Sequence, residues 1–200
     1  MIWIEDTPSG GLVLRFGQFG RLLETSPGHL DAPPALSAWI GDGVRPPRLG
    51  LEALHDCFAI IGANAANSVQ AEDLSVAVIH ADDLPGRKPM LYARWHPQGA
   101  IADPSPRLNL DMISQPEKGL VRLLFRGEPL AGAKVDLLTS AGEPTGLTSD
   151  DAGLLVLPEL ADGLYQLVCS YTESLPTRVG GKSYGGTRHW STLTFRRGKA

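Results

Sequence analysis

The stretch of sequence that decides the fold is Gly127-Glu128-Pro129-Leu130-Ala131-Gly132-Ala133-Lys134-Val135-Asp136-Leu137-Leu138. It follows a segment in which Val121, Leu123 and Phe125 are spaced two apart, as in a strand with one apolar face. The Gly and Pro residues between positions 127 and 132 favour a tight turn. Apolar and polar residues then alternate again from Ala133, so the pattern predicts strand, turn, strand.

Other short strands surround this hairpin and are separated from one another by turn residues. In the C-terminal half we expect strands over residues 154–157, 164–171 and 189–195, which together predict a small antiparallel sandwich. In the N-terminal half a hairpin covers residues 1–20, and strands are predicted over residues 55–62, 72–80 and 91–96. Residues 34–40 are compatible with a short helix because Pro34 suits a first helical position.

The composition changes between residues 97 and 106, where Pro97, Pro104 and Pro106 resist regular structure. We place a domain boundary there, with an N-terminal β domain over residues 1–102 and a C-terminal β-sandwich over residues 103–200. The predicted fold class is therefore all-β, with two β-sandwich-like domains.

Charge and hydropathy exclude several classes of function. The net charge of −4 arises from 22 acidic and 18 basic residues without a basic block, which argues against binding to nucleic acid. No apolar run approaches the roughly 18 residues that a membrane-spanning helix needs, so we predict no direct membrane insertion. The two cysteines, Cys57 and Cys169, lie in apolar runs, and buried free thiols are favoured over a disulfide.

Histidines are the first candidates for a metal site, because nickel and cobalt ions accept imidazole nitrogen. No two of the five histidines form a short-spaced ligand pair on one element, so any site must be assembled by tertiary contacts. His189 has the parity of Ser191, Leu193 and Phe195, which places it at the mouth of the inward face; the alternative is a half-buried His bonded to a carbonyl. His96 ends a strand, and His80 precedes the acidic pair Asp82-Asp83, although both also suit solvated loop positions.

The N-terminal segment offers two further candidate ligands. Met1 carries a soft thioether, and Glu5 shares the parity of Met1 and Trp3 on the first predicted strand. Trp190 has the opposite parity to Leu193, which predicts either an exposed aromatic surface or packing between domains.

Catalytic motifs give no support for an enzyme. The sequence contains no Gly-x-Ser-x-Gly elbow, no His-Glu-x-x-His and no Cys beside a His. Asp150-Asp151 resembles a carboxylate pair, but Asp-Asp-Ala-Gly between two strands is turn chemistry. We therefore predict a protein that is not an enzyme.

Several segments, taken in order, resemble a family of exported proteins of unknown function that is described as the periplasmic component of cobalt/nickel transport. They are Trp3-Ile4-Glu5, Phe16-Gly17-Gln18-Phe19, residues 26–31, Tyr92-Ala93-Arg94, residues 108–111, 127–135 and 149–153, and residues 191–195. The resemblance implies a C-terminal sandwich of the prealbumin-like or carboxypeptidase-regulatory-like Greek-key type. Family members carry a His three residues before the Trp-hydrophobic-Glu segment, a position that falls immediately before Met1 and outside the numbering.

This resemblance implies a non-catalytic protein that binds or delivers a divalent metal for nickel or cobalt uptake. It also implies a location in the periplasm or outside the cell. The candidate ligands are His189, His96, His80, Met1 and Glu5, and no metal is needed for folding. A membrane transporter subunit is a possible partner. One alternative is an interaction module that binds a protein or a carbohydrate through its loops, and another is a small hydrolase on a prealbumin-like fold.

Overall fold

The structure is a computed structural model, and it describes residues 1–27, 29–31, 35–41, 46–75, 86–97, 107–117, 119–140, 144–179 and 181–198. Within these ranges the regular elements are β-strands and one 3-10 turn, His29–Asp31, so the predicted all-β class is confirmed. None of the described residues form a helix long and apolar enough to cross a membrane. The prealbumin-like detail of the topology remains a prediction.

A seven-stranded sheet forms the centre of the described fold, with strands numbered in chain order. Its order is β13 (Thr145–Thr148), β12 (Lys134–Thr139), β15 (Gly163–Glu173), β18 (Gly186–Arg197), β8 (Arg87–His96), β7 (Val69–Asp73) and β4 (Leu36–Ile40). Because β8 and β18 are interior strands, their side chains are buried on both faces.

A second sheet covers one face of this central sheet. It consists of β1 (Ile2–Asp6), β2 (Gly11–Gln18), β6 (Phe58–Asn64) and β5 (Gly50–Ala53) in that order, with β3 (Leu22–Leu23) paired to β2. Ile4, Leu14 and Phe58 from this sheet pack with Ala93 and Trp95 of β8 in a first hydrophobic core. The alternation of apolar residues in β1 and β2 thus buries one face of an antiparallel hairpin, as predicted.

A third sheet covers the other face, towards the C-terminal half. In it β10 (Leu120–Phe125) pairs with β9 (Leu110–Ser114), β11 (Glu128–Pro129) and β14 (Leu154–Val156). Leu110, Leu123 and Leu155 pack with Leu167 and Leu193 of the central sheet in a second hydrophobic core. A separate hairpin, β16 (Thr177–Val179) and β17 (Lys182–Tyr184), lies between β15 and β18 in the chain.

The two halves of the chain share the central sheet through the parallel pairing of β8 with β18. The register extends from Arg87 opposite Gly186 to His96 opposite Phe195. The predicted domain boundary at 102/103 lies outside the described residues, and the division into domains remains a prediction. The strands on either side of that boundary nevertheless belong to one sheet.

A buried ion pair ties β8 to the third sheet. Arg94 donates through Nε and Nη2 to the two carboxylate oxygens of Asp111 at 2.9 and 2.8 Å, and both side chains are fully buried. Asp111 Oδ2 also accepts from the backbone N–H groups of Arg107 and Leu108. The carboxylate is therefore satisfied from three directions, as a buried charge requires.

Two local predictions are corrected by the structure. The helix over residues 34–40 is wrong for Leu36–Ile40, which is strand β4 and pairs antiparallel with β7. The strand predicted over residues 72–80 ends at Asp73 as part of β7, and residues 76–80 lie outside the described part of the chain. The preference for free thiols is confirmed, because Cys57 and Cys169 are both buried and unpaired.

Candidate functional site

The candidate site is a chain of polar side chains around His189, at the end of the second core. Tyr92 Oη lies 3.0 Å from His189 Nδ1, and Glu173 Oε2 lies 3.0 Å from His189 Nε2. Asn109 Nδ2 lies 3.4 Å from Tyr92 Oη, and Arg126 Nη2 donates to Glu173 Oε2 at 2.9 Å. We call these five residues the His189 cluster.

Strand pairing brings the cluster together. His189 on β18 faces the second core with the parity of Ser191 and Leu193, which confirms the predicted inward orientation. Glu173 ends β15, which pairs with β18. Tyr92 lies on β8, the parallel neighbour of β18, and its ring stacks on the imidazole at a centroid distance of 5.8 Å.

The donor order of the cluster follows from its chemistry. A carboxylate only accepts hydrogen bonds, so His189 Nε2 carries the proton that bonds to Glu173. The unprotonated Nδ1 then accepts from the Tyr92 hydroxyl, and the Tyr92 oxygen in turn accepts from Asn109. With a neutral imidazole, every member of this network has a hydrogen-bond partner.

Burial governs the proton equilibria of the two rings. Desolvation lowers the pKa of His189 from its ordinary 6.5, although Glu173 opposes this shift, and Arg126 lowers the pKa further. Desolvation also raises the pKa of Tyr92 to about 12. Hydroxyl, imidazole and carboxylate have the order of a catalytic triad, but a fully buried phenol with a raised pKa is poorly suited to act as a nucleophile.

This equilibrium predicts a pH dependence of stability. In the unfolded chain His189 takes up a proton near pH 6.5, whereas in the folded chain it does so only at a lower pH. The stabilisation is thus present above about pH 6.5 and is lost as the pH falls through the folded pKa, by at most about 1.4 kcal/mol per pH unit in that window.

Urea unfolding of the wild type and of His189→Gln at pH 7.5 and 5.5 measures this loss of stability. We expect the stability difference between the two proteins to shrink at pH 5.5; an equal difference at both values would contradict the prediction.

The other predicted ligands do not join this cluster. His96 lies on the same sheet face but six positions beyond Met90, the partner of His189, which separates the two Cα atoms by about 20 Å. His80 lies outside the described residues. The N-terminal ammonium group of Met1 donates a hydrogen bond to Gly17 O at 3.0 Å. Glu5 accepts a hydrogen bond from Trp3 Nε1 and forms an ion pair with Arg15.

Met1 and Glu5 are also separated from His189 by the central sheet. The first strand packs on the face that carries Thr192, whose hydroxyl donates to Ile2 O, whereas His189 points to the opposite face. Within the described ranges, no group of three or more His, Cys, Asp and Glu side chains is arranged to hold a metal ion. His189 and Glu173 are therefore joined as a pair without a third such ligand, and the metal role of the predicted set remains a prediction.

Four cluster residues were missed from the sequence. Glu173 and Tyr92 each occupy a position that faces inward in an alternating strand. A polar residue at such a position is the signal by which sequence analysis could have found them. Asn109 and Arg126 come from a loop and a turn, and no sequence pattern points to their role.

A separate cleft lies between the turn that follows β2 and the outer face of β12. It comprises two adjoining hollows of about 380 and 460 Å3 that share Met1, Gln18, Asp136 and Leu138. Trp190 lines one of them, packs partly against the first core and lies under the Arg188 guanidinium at 4.4 Å. Trp190 is thus half-buried, and the choice between an exposed surface and packing between domains stays open, because the division into domains remains a prediction.

Comparison with known proteins adds no family to this description. No protein-family model matches the chain, and neither the curated proteins nor the solved structures contain a significant match. Fold and site together define a layered all-β protein with a buried histidine network at the end of one core.

Proposed function

We propose that the protein is an exported, non-catalytic binding or delivery protein for a divalent metal ion, nickel or cobalt, and that His189 and Glu173 supply its protein ligands. The observation that carries the proposal is the 3.0 Å separation of His189 Nε2 and Glu173 Oε2. Two ligands held at about 2.1 Å from one ion and at right angles are about 3 Å apart. His189 and Glu173 would hold the ion through Nε2 and Oε2, and water would complete its coordination.

The surroundings of His189 support an imidazole ligand. Burial keeps the ring neutral by lowering its pKa, and metal ions bind the neutral form. A metal at Nε2 requires the proton to move to Nδ1, which then donates to the Tyr92 oxygen. The Tyr92 hydroxyl in turn donates to Asn109 once that amide is reversed, so the second shell stays paired.

Access supports the same pair. The Glu173 side chain is 14% exposed, whereas the His189 side chain is 2% exposed. An ion arriving from solvent meets the carboxylate first and the imidazole behind it. A hydrated ion would exchange part of its water for the carboxylate oxygen and then for the imidazole nitrogen, a ligand that suits nickel.

Calorimetry with nickel and cobalt tests the proposal. We expect one ion per chain with a micromolar dissociation constant, weakened at least about tenfold in His189→Ala because one of two protein ligands is lost. Glu173→Gln should weaken binding similarly, since it keeps the shape of the side chain and removes its charge. His55→Ala is the matched control, because this histidine is exposed and lies outside the cluster.

Circular dichroism of each variant would show whether the fold is retained. If the wild-type protein gives no binding heat with nickel and none with cobalt, the proposal is refuted. Equal affinity of the wild type and a folded His189→Ala would remove His189 as a ligand.

A further inference from the structure

The floor of the cleft between the turn after β2 and the outer face of β12 carries a buried amide. Leu138 lines both hollows of this cleft, and Val168 lines one of them. Gln166 adjoins both residues on the same face of the central sheet, because it pairs with Leu138 in the register and lies two positions from Val168 on β15. The Gln166 side chain is fully buried, and neither its Oε1 nor its Nε2 has a hydrogen-bond partner within the described part of the chain.

A hydroxyl in the same situation lies next to this amide. Thr194 on β18 is the register partner of Gln166 on the other side, and it faces the same way because Leu193 points into the second core. Thr194 is fully buried, and among the described residues its Oγ1 has no hydrogen-bond partner either. Because buried polar groups in proteins are nearly always paired, these two side chains point to a bound molecule that supplies their hydrogen bonds.

A close backbone contact fixes the shape of the cleft. Gly20, in the turn that follows β2, has a φ of 68°, and a Cβ at this position would lie 2.9 Å from Ser140 Cα and O. Both residues line the first hollow, so the turn is held against the end of β12. The hollows of about 380 and 460 Å3 are therefore preformed, and each has the size of a small-molecule site.

The chemistry of the lining selects the kind of ligand. Leu138, Val168 and Trp190 offer apolar surface, and the Asp136 carboxylate accepts hydrogen bonds. The amide and the hydroxyl in the floor both donate and accept, but they carry no charge that would neutralise an ion. A saccharide ring matches this lining, because it combines an apolar C–H face with several hydroxyl groups that each donate and accept.

We propose that this cleft binds a neutral saccharide. The ring packs against the apolar residues of the lining, and its hydroxyl groups donate to Asp136. Gln166 has three rotatable side-chain bonds, which allow its amide to turn towards the hollow and pair with a sugar hydroxyl. The site lies on the face of the central sheet opposite to His189, so the inference is independent of the proposed metal function.

Saturation-transfer difference NMR of the whole chain with D-glucose, D-galactose, D-mannose, N-acetyl-D-glucosamine and maltose tests the inference. We expect at least one of these sugars to bind with a dissociation constant on the order of 1 mM, as ligands of this size do. Asp136→Asn should weaken the binding of that sugar about 3- to 10-fold, because it removes charge-assisted hydrogen bonds.

Gln166→Leu separates a ligand-binding role from a structural one. It keeps the approximate shape of the side chain and removes the amide, so it should weaken sugar binding at least about tenfold. Its free energy of unfolding should equal or exceed that of the wild type, because an apolar group replaces a buried polar group without partners. Gln115→Leu and Asp151→Asn are the matched controls, since both residues lie outside the lining of the cleft, and their sugar affinity should stay within about twofold of wild type.

D-Glucosamine distinguishes a saccharide site from a cation site at Asp136, because it presents the ring of N-acetyl-D-glucosamine with an ammonium group. Binding of D-glucosamine without binding of any of the five neutral sugars would overturn the inference, and so would the absence of any signal. Wild-type sugar affinity in Gln166→Leu would also overturn it. A clearly lower free energy of unfolding for Gln166→Leu would show that the amide has a structural partner, and the assignment would fall.

Discussion

Asp111→Ala is expected to lower the free energy of unfolding by about 3–5 kcal/mol, because it removes the carboxylate that neutralises the buried Arg94 guanidinium. The backbone N–H groups of Arg107 and Leu108 lose their acceptor as well. Urea denaturation at neutral pH measures the change. The matched control is Asp151→Ala, an exposed turn position where we expect a change within about 0.5 kcal/mol.

Replacing the other member of the ion pair, Arg94, should lower the free energy of unfolding by less. Arg94→Met leaves Asp111 with two backbone donors, whereas Asp111→Ala leaves Arg94 without its carboxylate. We therefore expect Arg94→Met to retain more stability than Asp111→Ala, and the double variant Arg94→Met with Asp111→Leu to recover part of the loss. A cost for Asp111→Ala no larger than that for Asp151→Ala would show that the pair contributes little.

Trp95→Ala is the second substitution with a large expected effect, about 3–5 kcal/mol. Trp95 is 2% exposed in the first core, and its indole N–H donates to Ala65 O at 3.0 Å. Because β8 and β18 pair along the whole length of β8, we expect this loss to destabilise both cores together. The two halves of the chain should unfold in one transition.

Two probes can separate this outcome from independent unfolding. The fluorescence of the remaining tryptophans reports on β1 through Trp3, on β4 through Trp39 and on the edge of the first core through Trp190. Reactivity of the Cys169 thiol, in a Cys57→Ser background, reports on the second core. In Trp95→Ala the unfolding midpoints of both signals should shift to the same, lower urea concentration. A Cys169 thiol that stays protected up to its original midpoint would instead support two independent domains.

Much of the fold follows from local sequence patterns. Alternation placed Leu91, Ala93 and Trp95 on one face of β8, and these three residues lie in the first core while Tyr92 lies in the second. His189 was likewise placed on the inward face of β18 by its parity. These predictions succeed because the side-chain period of a strand is fixed by the backbone.

Other features depend on contacts that no local pattern records. The parallel pairing of β8 with β18 joins strands from opposite halves of the chain, and neither strand carries a sign of its partner. For residues 34–40, Pro34 suggested a helix, but the alternating burial of Leu36 and Ala38 and the ladder to β7 decide for a strand.

The candidate site shows the same limit. His189 was identified as a candidate, but its partner Glu173 lies beyond an inserted hairpin that conceals the register between β15 and β18. Arg126 lies in ordinary turn sequence, and neither its positive φ nor its ion pair with Glu173 has a signal in that sequence. Tertiary pairing, rather than composition, makes this cluster.

The contact between β1 and β18 affects how the protein folds during its synthesis. The Thr192 hydroxyl donates to Ile2 O across 190 residues of sequence, and β8 gains its second neighbour only when β18 is present. Until the ribosome has synthesised β18, the nascent chain exposes β8 as an apolar strand with a free edge, which favours association with other chains. Because the central contacts are so distant in sequence, the sheet should form slowly and only after β18 has been synthesised.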